Sequence, residues 1–129
     1  MTADTLPVVV LEKPINLWGG LDPQDGTITD GAHPQRGQSI AGKVMILPGT
    51  HGSSSGASIL IDAVRRGFGP AAIVVRRPDP QIAIASLLAG ELYGIPLPVK
   101  VATAEDYSRL EKQHSINLAN LFRQRDENS

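Results

Sequence analysis

Two unbroken aliphatic runs, "KVMILP" from Lys43 and "AAIVV" from Ala71, constrain the fold most, because a helically spaced segment follows each of them. An apolar run of that length without polar alternation suits a strand buried on both faces. After the first run, Ile59, Leu60, Ala63 and Val64 lie at helical spacing, with Asp62, Arg65 and Arg66 on other faces and Gly67 as a C′ stop. After the second, Asp79-Pro80 opens another helix over "DPQIAIASLLAGELYG", and "IPLPVKVAT" supplies a third strand whose prolines suit an edge. This βαβαβ alternation predicts an α/β fold with a mostly parallel sheet, in which the carboxyl ends of the first two strands share one edge.

The flanks read differently. "LPVVVLEKPIN" is a short apolar strand, and "LWGGLDPQDGTITD" is rich in turn signals at Gly19-Gly20, Asp22-Pro23 and Asp25-Gly26, which suggests antiparallel or barrel-like strands. In the tail, Thr103 with Asp106 three residues on resembles a capping box. There Tyr107, Leu110, His114, Leu118 and Leu121 stand at spacings of three and four, predicting one long amphipathic helix that frays after Arg123. The 129 residues thus form one domain with soft divisions: a turn-rich β portion at 1–41, an α/β portion at 42–101, and a C-terminal helix with its tail at 102–129.

Composition excludes several classes. A formal charge of −1 without a basic stripe argues against nucleic acid as a partner. Cysteine is absent, so any thiolate nucleophile, thiolate-zinc site or iron–sulfur cluster that the function needs must come from another chain. No segment approaches a membrane span and the N-terminus lacks a secretory pattern, so a cytoplasmic protein is expected.

The candidate site is "GTHGSSSGAS" from Gly49, between the first buried strand and its helix. Gly52-Ser53-Ser54-Ser55-Gly56 fits the G-x-S-x-G pattern of a hydrolase nucleophile elbow with Ser54 as nucleophile. That chemistry also needs an acid and then a histidine, and the only later histidine, His114, falls on the helical stripe as a packing residue. Alternatively, the free N–H groups of a helix start could hold an anion, although no Gly-Lys-Ser/Thr follows and the loop is not a Walker A motif. In the simplest reading one serine is an N-cap and the others are solvated.

Further matches narrow the choice. Trp18-Gly19-Gly20-Leu21-Asp22-Pro23, His33-Pro34, Ser39-Ile40-x-Gly42-Lys43 and Gly52-Ser53-Ser54 occur in the same order as in the small subunit or swivel domain of the aconitase X family, which the chain resembles over about residues 7–100. The resemblance implies a swivelling β/β/α domain, agreeing with the division above. It implies a dehydratase acting on cis-3-hydroxy-L-proline or mevalonate 5-phosphate, with an iron–sulfur cluster on a cysteine-bearing large subunit and none ligated by this chain. It also implies that a loop serine is the base, which carries over first to Ser53 and second to Ser54. Where aconitase proper has a substrate-gripping arginine after its serine pair, this chain has Ser55-Gly56, so the carboxylate-binding role passes to the partner or to another arginine.

A serine is a poor base unless its alkoxide is stabilised, and helix-start N–H groups, excluded water and a nearby metal all lower that cost. Gly52 and Gly56 would let the backbone approach substrate. Arg76 and Arg77, at the end of "AAIVV", could grip a carboxylate or phosphate or be solvated. His51 tunes the serine or belongs to a polar loop, Trp18 fills the core or an interface or covers the site, and His33 fixes a turn. The expected function is therefore that of a dehydratase small subunit, inactive without its partner, with Gly52, Ser54, Ser55, Arg76 and Arg77 contacting substrate. The alternative is a non-catalytic swivel domain that binds an anion.

Overall fold

The computed structural model describes residues 5–53 and 55–123. In chain order the elements are β1 (Thr5–Val10), β2 (Ile15–Asn16), the short turn α1 (Leu17–Gly20), β3 (Leu21–Asp22), β4 (Thr27–Ile28), β5 (Val44–Ile46), β6 (Thr50–His51) and α2 (Gly56–Arg65). They continue as β7 (Ala72–Val75), α3 (Pro80–Tyr93), β8 (Val99–Val101), α4 (Ala104–Leu110), β9 (Ser115–Asn117) and α5 (Leu118–Leu121). The main sheet runs β8-β7-β5-β1-β9. Its β1, β5, β7 and β8 are mutually parallel and β9 is antiparallel to β1, so the expected βαβαβ unit is present with β8 at an edge.

Both buried strands alternate between two cores, as a strand with side chains on opposite faces must. Met45, Leu47, Ile73 and Val75 join Leu60, Ala63, Ile82, Ala85 and Ala89 of α2 and α3 on one face. Val44, Ile46, Ala72 and Val74 join Tyr107, Leu110, Ile116 and Leu121 on the other. The turn-rich portion contributes Leu17, Leu21, Ile28 and Ile40 to the α2 and α3 core, so it shares that core with the α/β portion and has no core of its own. The expected antiparallel pairing within it is the β3–β4 hairpin, Leu21 opposite Ile28.

Helix ends follow local chemistry. Asp79 caps α3 by accepting from Ile82 N–H at 3.1 Å, with Pro80 in the first turn where its missing N–H costs nothing. Thr103 caps α4 by accepting from Asp106 N–H at 3.1 Å.

The single long C-terminal helix is not formed. α4 ends at Leu110, and Ser115–Asn117 becomes β9, pairing Thr5 with Asn117, Leu6 with Ile116 and Pro7 with Ser115. Without β9, β1 would present an unpaired edge, and this pairing satisfies it. The spacing of three and four survives piecewise, with Tyr107 and Leu110 buried from α4 and Leu121 from α5. Ile116, which lay off the helical stripe, is buried instead. His114 is exposed rather than a packing residue, and its carbonyl accepts from Val8 N–H at 3.2 Å. The chain after Arg123, where fraying was expected, lies outside the described residues.

Candidate active site

The serine loop leaves the carboxyl edge of the parallel sheet, where ligands bind in open α/β folds. After β5 the chain forms β6, which pairs with β2 in parallel, Ile15 with Thr50 and Asn16 with His51. Ser53 and Ser55 follow, just before α2. Thr50 anchors this approach: its N–H donates to Asp79 Oδ2 at 2.7 Å and its hydroxyl to Asp79 Oδ1 at 2.9 Å. Gln81 Nε2 then donates to Thr50 Oγ1 at 3.0 Å. The N-cap of α3 thereby also fixes the strand that leads to α2.

Within the loop, Ser53 and Ser55 are exposed, and their hydroxyl oxygens are 2.8 Å apart. Ser55 N–H donates to Ser53 Oγ at 3.2 Å, and Gly56 N–H donates to the Ser53 carbonyl at 3.0 Å. Ser53 Oγ therefore sits one turn before α2, accepting from a backbone donor and sharing a hydrogen bond with a second hydroxyl. Ser54, the second-choice base, lies outside the described residues. Ser55 occupies the N-cap position without a side-chain capping bond, and the serine that satisfies a free N–H at this helix start is Ser53, which accepts from Ser55 N–H.

Gly52 has φ +95°, a left-handed value that favours glycine, and a β-carbon there would fall 2.7 Å from Asn16 Oδ1. A β-carbon on Gly56 would collide with Gln81 Oε1 and meet Leu17 Cβ at 3.1 Å. The two glycines are required by close packing of the loop on β2 and α3.

Beside the loop opens a cleft of about 560 Å³, lined among others by Lys13, Asn16, Trp18, Asp30, His33 and His51. Trp18 is 59% exposed, so it lines this cleft and does not fill the core. His33 is buried. Its Nε2 lies 2.9 Å from the Lys13 carbonyl, and its Nδ1 accepts from Gln35 N–H at 3.0 Å, which ties the 30–38 turn to the β1–β2 connection. His33 thus acts as the fixed turn expected of it.

The arginines separate in environment. The Arg76 guanidinium lies over the Tyr107 ring at 4.9 Å from its centroid, against α4 and the sheet face opposite α2. Arg77 is exposed at the end of β7. Sequence reasoning did not single out Lys13, Asn16, Thr50 or Gln81. "EKPIN" reads as strand, and only the β2–β6 pairing brings it to the loop. Asp79 was recognised as a helix start, but its second role toward Thr50 spans chain segments and leaves no local signal.

The residues of this chain do not fit an iron–sulfur cluster. Such clusters take thiolate ligands, cysteine is absent, and among the described residues no group of three or more His, Cys, Asp or Glu side chains could hold a metal ion. Among them, too, no helix is long and apolar enough to cross a membrane.

The sequence matches the aconitase X swivel domain over residues 5–124. The chain belongs to the aconitase X swivel domain family. This swivel domain is 38% identical over 104 residues to the phosphomevalonate dehydratase small subunit of Pyrococcus horikoshii, a match covering 81% of this chain and 72% of that one. It is 38% identical over 85 residues to cis-3-hydroxy-L-proline dehydratase of Pseudomonas aeruginosa, covering 66% of this chain but only 15% of that protein. Among solved structures, holo aconitase X of Thermococcus kodakaraensis matches the swivel domain with a TM-score of 0.65 and 32% identity, over 72% of this chain and 68% of that one. The swivelling α/β fold expected from the sequence is thus the fold of this family.

Proposed function

We propose that this chain is the small subunit of an aconitase X type hydro-lyase that eliminates water from a hydroxylated carboxylic acid, with Ser53 as general base. The observation that carries this reading is Ser53 Oγ, exposed one turn before α2 and met by Ser55 N–H at 3.2 Å and the Ser55 hydroxyl at 2.8 Å, in a chain of this family. Ser53 acts as its alkoxide, its own proton having passed to solvent, and takes the proton from the carbon next to the substrate carboxylate to become a neutral hydroxyl. The C–H electron pair forms the new double bond as the substrate hydroxyl departs. Before that transfer Oγ carries the negative charge. Negative charge on that oxygen is stabilised by the two Ser55 donors and by the positive end of the ten-residue α2. Gly52, Ser54 and Ser55 contact the substrate as it approaches from the cleft. Arg77 is the arginine proposed to hold its carboxylate, since Arg76 is engaged with Tyr107.

The other half of the reaction, departure of the hydroxyl, belongs to a cysteine-bearing large subunit that holds the iron–sulfur cluster implied by the family. The assembly is a cytoplasmic heteromer. cis-3-Hydroxy-L-proline is the first substrate to test. Mevalonate 5-phosphate is the second reading, favoured by the 38% identity over 104 residues to the Pyrococcus horikoshii small subunit.

The test is reconstitution with the large subunit without oxygen, followed by assay on both substrates. The expected result is turnover of one of them by the complex and none by this chain alone. A complex that assembles yet dehydrates neither would favour the non-catalytic, anion-binding domain.

A further inference from the structure

Two buried amide oxygens bracket the serine loop, and neither has a hydrogen-bond donor: Asn16 Oδ1 and Gln81 Oε1. They stand at opposite ends of it. The Asn16 amide lies against the α-carbon of Gly52, and Gln81 Oε1 lies against that of Gly56. A buried acceptor without a donor destabilises a fold, and an apolar side chain of the same length would avoid that cost. Two such acceptors at the two ends of one loop point to donors that this form of the loop does not offer.

The orientation of Gln81 is fixed by its neighbours. The Asp79 carboxylate takes the single proton of the Thr50 hydroxyl as well as Thr50 N–H. With that proton committed, Thr50 Oγ1 can only accept from Gln81, and it does so from Nε2 at 3.0 Å. The amide therefore cannot turn over, and Oε1 is held as an acceptor facing the first residue of α2. Gln81 is 8% exposed, so the loop backbone is the nearest source of a donor. At present Gly56 N–H is spent within the loop, on the Ser53 carbonyl at 3.0 Å.

We propose that Asn16 and Gln81 are positioning residues that clamp the serine loop at both ends in its substrate-engaged form. Gly56 N–H passes from the Ser53 carbonyl to Gln81 Oε1, and an N–H at the Gly52 end passes to Asn16 Oδ1. The Ser53 peptide, released from Gly56, turns its hydroxyl toward the cleft while Ser55 N–H stays on Oγ. This rests on the reading of Ser53 as the base.

The experiment uses the chain assembled with its large subunit and saturated with cis-3-hydroxy-L-proline or mevalonate 5-phosphate. Gln81→Met keeps side-chain length and removes the amide, and Asn16→Leu does the same at the other end. Each is read by amide hydrogen exchange over residues 52–58 and by kcat and KM separately. The clamp predicts exchange of this segment at least tenfold faster in either variant, with kcat down about tenfold or more and KM within about threefold. Exchange equal to wild type in both variants overturns it, whatever the activity. If the wild-type complex turns over neither compound, the reading of Ser53 as base fails by itself. Faster exchange in the variants would then still uphold the clamp, and unchanged exchange would overturn it.

Discussion

Ser53 owes its position to the backbone geometry and packing of its neighbours. Gly52, at φ +95° against the Asn16 amide, turns the chain out of β6, and alanine there would meet both a strained backbone and that amide. Gly52→Ala is expected to destabilise the protein by about 1–3 kcal/mol, measured as a lower denaturant midpoint. His33 plays a comparable part beneath the cleft. Because Nδ1 accepts from Gln35 N–H, the ring is the neutral tautomer with its proton on Nε2, donated to the Lys13 carbonyl. His33→Leu removes both bonds and leaves the buried Gln35 N–H without its acceptor, so a loss of about 1–3 kcal/mol is expected in the same denaturation experiment. Gly52, Ser53 and His33 were singled out from their order along the chain, and the structure gives Gly52 a close approach to Asn16 and His33 a fixed turn. Their partners Asn16, Lys13 and Gln81 were not, because those contacts join segments that only the folded sheet brings together.

The legible elements were those in which one strong periodicity agreed with its punctuation. α2 ended at its basic turn before Gly67, α3 began behind Asp79-Pro80, and "KVMILP" and "AAIVV" became the central strands β5 and β7. The tail failed because a spacing of three and four persisted across a break. Within α4 and α5 that spacing is real, but the pairing of β9 along β1 overrides helix propensity between them. α4 also carries a pH response. Burial pushes the Tyr107 phenol above its usual value, while the Arg76 guanidinium pulls the other way. The folded protein thus holds that proton more tightly than the unfolded chain does. The associated stability is fully present below the unfolded value of about pH 10 and is lost as pH rises through the higher folded value. Melting temperature followed from about pH 8 to about pH 11 should fall less steeply in Tyr107→Phe than in wild type. Parallel curves for the two proteins would show that this phenol titrates as in the unfolded chain.

At the scale of the whole molecule, one sheet with a core on each face carries the serine loop on its carboxyl edge, and the turn-rich segment packs as a wall beside it. The soft divisions read from the sequence correspond to no separate cores, because Leu17, Leu21, Ile28 and Ile40 join the same core as α2, α3 and one face of the sheet. The α/β architecture was legible because its strands are buried on both faces and so nearly free of polar residues. The cleft was not, since its lining is drawn from polar loops that carry no period. On the proposed reading this molecule presents half of a site: an exposed serine whose Oγ accepts from Ser55 N–H and shares a hydrogen bond with the Ser55 hydroxyl, in a chain without cysteine. The central claim is that Ser53 is the proton acceptor of a dehydratase completed by a second chain. Its most direct test is kcat of the anaerobically reconstituted complex carrying Ser53→Ala. The account predicts an assembled complex with kcat lowered by about 10²- to 10⁴-fold. An assembled Ser53→Ala complex with full activity would contradict it.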